Sequence, residues 1–216
     1  MEDPLILVTN DDGIDSPGLW AVAEAVSALG EVLVVAPDRQ WSGGGRSMPV
    51  DVTGHVRNAS RGVNGREVTG FAIDASPALA VDHGVIELAP RRPALVVSGV
   101  NFGANLGIEV TISGTVGAAL ETSASGIPAL AVSLEMSPDH HLTGDAQADY
   151  TACRAFIRYF GDMLLEQSLP ADVDVLNVNV PALATEETPW RLTRLSKHRY
   201  FLPVPPDRAN GEVVAA

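Results

Sequence analysis

Cysteine is all but absent: Cys153 stands alone among 216 residues, so no internal disulfide can form and no thiolate metal site can be built. It falls in Tyr150-Thr151-Ala152-Cys153-Arg154-Ala155-Phe156, which reads as a helix, and is expected to be a buried spectator thiol. Long apolar runs are missing too. The run from Leu5 to Val8 is too short for a signal sequence, and nothing approaches the ~18 residues of a membrane span. The expected location is therefore the cytoplasm, with no membrane partner, and the sequon Asn58-Ala59-Ser60 carries no consequence there. Charge is sparse, and positive charge sparsest: 19% of residues are charged, with 14 Lys and Arg against 27 Asp and Glu, for a net charge of −13. Such a chain repels polyphosphate backbones, which excludes an extended nucleic-acid surface. A small phosphorylated ligand remains compatible if a metal ion or backbone amides neutralise it locally. Most of the acidity is plain solubility.

Several functional signatures are lacking as well. Gly-x-x-x-x-Gly-Lys-Ser/Thr is absent, which excludes a P-loop ATPase. No Gly-x-Gly-x-x-Gly follows the first strand, which argues against an NAD(P)-binding redox enzyme. No serine sits in Gly-x-Ser-x-Gly, so a hydrolase elbow is excluded. Asp172-Val173-Asp174 resembles the Asp-x-Asp of aspartyl-phosphate phosphatases but precedes a strand instead of ending one. Asp139-His140-His141 lies in a polar insertion and reads as surface loop.

What is present is a foldable α/β pattern. Hydrophobic residues make up 46% of the chain and the mean hydropathy is +0.14, which excludes general disorder. A chain of this length buries about 70% of its unfolded surface, enough for one domain spanning residues 1–216 without metal or disulfide staples. Leu5–Thr9, Val32–Ala36, Ala94–Val97, Ala129–Leu134 and Val173–Val180 read as strands. Gly18–Leu29, Pro77–Leu88, Thr115–Ser125 and Ala146–Gln167 read as helices, with Gly30 as the stop of the first. Asn64-Gly65 marks a hairpin, so residues 50–72 are expected to form a β excursion. A polar insertion covers roughly 136–145, and the Pro-rich tail from Trp190 has no clear assignment. Apolar strands alternating with helices predict a Rossmann-like, mostly parallel sheet with helices on both faces.

Three strands run into unusual loops: Thr9 into Asn10-Asp11-Asp12-Gly13, Ala36 into Pro37-Asp38-Arg39-Gln40-Trp41-Ser42-Gly43-Gly44-Gly45, and Val97 into Ser98-Gly99-Val100-Asn101-Phe102-Gly103-Ala104-Asn105. A parallel sheet brings all three to its C-terminal edge, where open α/β folds bind ligands. Asp11 and Asp12 can be read as a turn and a cap. Adjacent carboxylates at the end of a buried strand also repel each other unless one is protonated or a cation lies between them. Ser42 and Asn101 can add neutral oxygens, and an all-oxygen set suits Mg²⁺, Mn²⁺ or Ca²⁺ rather than zinc. Ser113-Gly114-Thr115 precedes a helix. Its hydroxyls read as caps, and the helix N-terminus offers amides and positive dipole to a phosphate. Asn10, Gly43 and Asn105 join these three as phosphate-binding candidates.

The combination resembles the SurE family, the stationary-phase survival proteins that act as metal-dependent 5′-nucleotidases and broader phosphomonoesterases. The matching stretches are Leu7-Val8-Thr9-Asn10-Asp11-Asp12-Gly13, Val34-Val35-Ala36-Pro37-Asp38-Arg39 with Ser42-Gly43, Ser98-Gly99-Val100-Asn101 with Gly103, Asn105 and Gly107, Ser113-Gly114-Thr115-Val116-Gly117-Ala118-Ala119, and Leu176-Asn177-Val178-Asn179-Val180-Pro181. The resemblance implies one divalent metal ion per subunit, with Asp11, Asp12, Ser42 and Asn101 on the family's ligand positions, a nucleoside monophosphate as substrate, and a homodimer or homotetramer sharing a C-terminal arm. Two stretches depart from the family. Ala75-Ser76-Pro77-Ala78-Leu79-Ala80 replaces its usual Gly-Thr-Pro-x-Asp-Cys, and its closing strand segment is not found after Phe201. The expected activity is phosphomonoester hydrolysis, with Asp11 and Asp12 as catalytic candidates. Which of the two orients or deprotonates the attacking water is left open, as is direct carboxylate attack. The alternative is a non-catalytic phosphate-ligand sensor on the same fold.

Overall fold

The computed structural model describes residues 2–135, 148–167, 169–198, 204–206 and 208–210. Eight strands form its sheet: β1 (Leu5–Thr9), β2 (Glu31–Pro37), β3 (Val56–Asn58), β4 (Arg61–Val63), β5 (Arg66–Ile73), β6 (Leu95–Phe102), β7 (Ala129–Leu134) and β8 (Val175–Val180). Their order is β3-β5-β2-β1-β6-β7-β8, with β4 beside β5. The pairings from β5 through β8 are parallel, whereas β3 and β4 run antiparallel to β5.

The side-chain period of two explains why a central strand such as β1 is buried along its whole length. Ile6 and Val8 of β1 enter one core with Leu19, Val22 and Val26 of α1 (Pro17–Val26) and Cys153, Ile157 and Leu164 of α4 (Thr151–Leu165). Leu5 and Leu7 point the other way, into a core with Ala80 and Val81 of α2 (Pro77–His83) and Ala118 of α3 (Gly114–Ala124). Both faces are buried, as the α/β pattern requires. Burial pushes the Cys153 thiol up to about 12, so it is the inert core group expected.

The structure departs from the sequence reading in several places. Residues 50–72 do hold β structure, with β3 and β4 antiparallel to β5, but β5 also joins the main sheet, pairing in parallel with β2 from Leu33↔Thr69 to Pro37↔Ile73. Asn64 and Gly65 do form the turn between β4 and β5, both at positive φ. β6 does not stop at Val97. The ladder with β7 shifts between Ser98 and Asn101, then resumes through Phe102↔Leu134, so Asn101 sits on a strand end rather than in a loop. The first helix ends at Val26, with Ser27 as its cap, instead of reaching Gly30. The second gives way after His83 to a π-helical turn, Gly84–Leu88. α4 begins at Thr151, whose amide donates to Asp149 Oδ1 at 2.8 Å, and β8 begins at Val175. The polar insertion, with Asp139-His140-His141, lies outside the described residues.

Candidate functional site

β1 lies between β2 and β6, so the chain leaves it toward one side and later returns on the other. That reversal opens a crevice at the C-terminal ends of the strands, and Asp11 and Asp12 sit in it. The turn carrying them is tied by Asn10, which is fully buried. Its Nδ2 donates to the Gly13 carbonyl and its Oδ1 accepts from the Gly13 amide, both at 3.1 Å.

Asp11 is only 5% exposed. The Thr115 hydroxyl donates to its Oδ1 at 2.5 Å, and Gly114, the first residue of α3, lies directly against the same carboxylate. The positive end of α3 therefore faces Asp11. This approach requires glycine at 114, where a Cβ would lie 2.6 Å from the Asp11 Cβ and 2.8 Å from its Oδ2. Burial nevertheless pushes the Asp11 carboxyl above the usual range, outweighing the Thr115 hydrogen bond. Asp12 is pushed up to about 7, by burial first and by the neighbouring Asp11 charge second. Its contacts are longer: Gln40 Nε2 to Oδ1 and the Phe102 amide to Oδ2, each 3.4 Å.

These contacts bring the three loops to one point. The β2 loop reaches Asp12 through Gln40 and Asp11 through the Trp41 amide, which donates to the Asp11 carbonyl at 2.7 Å. Ser42 and Gly43 follow directly and are exposed. Asn101 is half-buried next to Phe102. Its Nδ2 donates to the Gly103 carbonyl at 2.6 Å, and among the described residues its Oδ1 accepts no hydrogen bond. Ser113 caps α3, its hydroxyl accepting from the Val116 amide at 3.1 Å. The side chains of Asn10, Ser113 and Thr115 are thus engaged within the protein, while Gly43 has open space around it.

Asn105 lies in a cluster of amides. Its backbone N–H donates to Asn179 Oδ1 at 2.7 Å, its carbonyl accepts from Nδ2 of both Asn177 and Asn179 at 3.1 Å, and its own Nδ2 donates to Ser133 at 2.9 Å. No role for Asn177 or Asn179 follows from their position in the sequence. The signal available was the alternation of asparagine with apolar residues along a half-buried strand.

A buried carboxylate beside a half-buried one, both with unfavourable charge, on converging loops that also carry Ser42 and an Asn101 amide oxygen that accepts no hydrogen bond among the described residues, suits a hard cation. No group of three or more His, Cys, Asp and Glu that could hold a metal occurs among the described residues, so a nitrogen- or sulfur-rich centre has no counterpart there. No described helix is long and apolar enough to cross a membrane.

Residues 6–201 match the family model described as Survival protein SurE. The chain is 43% identical over 199 residues to the 5′-nucleotidase SurE of Methanocella arvoryzae, covering 90% of this chain and 73% of that one. It is 43% identical over 195 residues to the 5′-nucleotidase SurE of Thermococcus gammatolerans, covering 90% and 71%. The crystal structure of the SurE protein from Aquifex aeolicus superposes with a TM-score of 0.71 at 33% identity, over 95% of this chain and 79% of that one. With the sequence match running through nearly the whole sheet and the same fold beneath it, the chain belongs to the SurE family.

Proposed function

We propose that this chain is a metal-dependent phosphomonoesterase that hydrolyses nucleoside 5′-monophosphates to nucleoside and phosphate. The single observation that carries the reading is the adjacent pair of buried Asp11 and half-buried Asp12 at the strand-end crevice, both with raised carboxyl pKa. The 5′-nucleotidase relatives at 43% identity support the substrate class.

Asp11, Asp12, Ser42 and Asn101 would hold one divalent ion, Mg²⁺ or Mn²⁺, with Ca²⁺ able to occupy the same oxygens. When bound, such an ion polarises a phosphoryl oxygen and acidifies water. The protein's own part is positioning and electrostatics. The Thr115 hydroxyl and the close approach of Gly114 hold the Asp11 carboxylate in place. Asp12, loosely held and close to neutrality in its proton affinity, is the better placed of the two to accept a proton from an attacking water. Gly43 leaves room for a phosphate beside Ser42. Gly114, Ser113, Thr115, Asn10 and Asn105 form its surroundings, three of them through side chains that shape the crevice. Because the chain carries −13, a dianionic substrate is repelled until that charge is offset locally.

The test is phosphate release from AMP, GMP and p-nitrophenyl phosphate by chelator-stripped protein, before and after addition of Mn²⁺ or Mg²⁺. Activity is expected only after addition. Full activity in the stripped protein contradicts the metal assignment, and nucleotide binding without release favours a sensor.

A homodimer or homotetramer is part of the proposal. Leu183, Trp190, Leu192 and Leu195 are exposed along the tail, Leu183 at 95% and Leu192 at 88%, and such a row of apolar groups favours a protein partner. Light scattering at micromolar concentration should give at least twice the 22.6 kDa chain mass; a monomer contradicts it. A cytoplasmic location is also proposed, in keeping with a single buried cysteine.

A further inference from the structure

Arg46 lies in the loop after β2, four residues beyond Ser42, and its Nε donates to Glu121 Oε2 at 2.6 Å. Glu121 belongs to α3, two turns past the helix start that faces Asp11, and its side chain is 10% exposed against 48% for Arg46. Around this ion pair the loop is seated closely. The Gly45 amide donates to the Ile112 carbonyl at 2.9 Å. The Gly45 carbonyl lies against Gly117, where a Cβ would come within 2.4 Å of it. Ser76, the cap of α2, donates to the Ser47 carbonyl at 2.7 Å. The other end is pinned at the crevice, where the Trp41 amide bonds the Asp11 carbonyl and its own carbonyl accepts from Gly44 at 3.0 Å.

Residues 41–47 therefore form a strap fixed at both ends, and the exposed stretch between the pins is Ser42 and Gly43. Arg46 supplies the strap's one charge. Its loss would leave the buried Glu121 carboxylate uncompensated beside Asp82, whose carboxyl is already raised by burial and then by Glu121.

We propose that Arg46 and Glu121 are a positioning pair, acting through the strap to hold the Ser42 hydroxyl at the Asp11 and Asp12 carboxylates for cation binding. The inference rests on the reading above that Ser42 belongs to the metal set. Groups one layer out from a metal typically change its affinity 10- to 100-fold when removed. Arg46→Met is expected to weaken Mn²⁺ binding about tenfold, measured by calorimetry on chelator-stripped protein. Arg46→Lys, which retains the charge without the guanidinium fork, should recover part of that loss. Because the pair acts through Ser42, Arg46→Met should add little to Ser42→Ala in the double variant, the non-additivity of coupled positions. Amide exchange of residues 43–45 in the metal-free protein should also quicken in Arg46→Met. Unchanged Mn²⁺ affinity in Arg46→Met, or a loss that adds in full to that of Ser42→Ala, overturns the positioning role while leaving the metal reading intact. Wild-type protein that binds no Mn²⁺ overturns the metal reading and this inference with it.

Discussion

At the scale of single residues, the proposed chemistry rests on two neighbouring carboxylates with unequal surroundings. Asp11 accepts a charge-assisted hydrogen bond from Thr115, a type of bond worth about 1.5–3 kcal/mol, and faces a helix N-terminus. Asp12 has only long contacts and the repulsion of Asp11. A carboxyl at about 7 in the folded protein, against an ordinary 3.8, binds a proton more tightly folded than unfolded. Its contribution to stability is complete below pH 4 and is lost as pH rises through 7. Melting curves of metal-free protein should therefore fall in Tm between pH 5 and pH 8, and Asp12→Asn should flatten that fall. The same variant should lose Mn²⁺ affinity by on the order of a hundredfold, because carboxylate charge dominates hard-cation binding. Asn101→Ala should lose less. A variant melting with the wild-type slope, or an Asn101→Ala loss exceeding that of Asp12→Asn, contradicts the assignment.

At the scale of elements, the site exists because α3 starts where β1 ends. Gly114→Ala puts a methyl group into Asp11, so the helix or the turn must retreat. A cost of about 1–3 kcal/mol is expected for such overpacking, together with a loss of turnover of about a hundredfold, the scale of a 1 Å displacement. A thermal melt and a saturated phosphate-release assay check both, and wild-type turnover contradicts the close approach. Much of this scale was legible in the sequence. The run Asn10-Asp11-Asp12-Gly13 after an apolar strand fixed the crevice, and Ser113 declared its helix by its capping chemistry. β6 was cut short because Gly99 and Asn101 break the apolar run that marks a strand, and only the ladder to β7 carries it past that break. Thr115 against Asp11, Arg46 against Glu121 and Asn105 against Asn179 were not legible. Each joins residues at least 74 positions apart, and no local periodicity encodes such a pairing.

At the scale of the whole molecule, an acidic chain presents a strand-end crevice to an anionic substrate, and the fold alone does not resolve that conflict. The proposed cation held by Asp11 and Asp12 would resolve it, and mass action would then stabilise the protein by roughly 2.7 kcal/mol at a hundred times Kd. The most direct measurement is anomalous scattering from crystals grown with Mn²⁺. The account predicts one strong peak per subunit between the Asp11 and Asp12 carboxylates, within coordinating distance of Ser42 and Asn101. A well-ordered crevice with no peak, or a peak elsewhere with the two carboxylates turned apart, would contradict it.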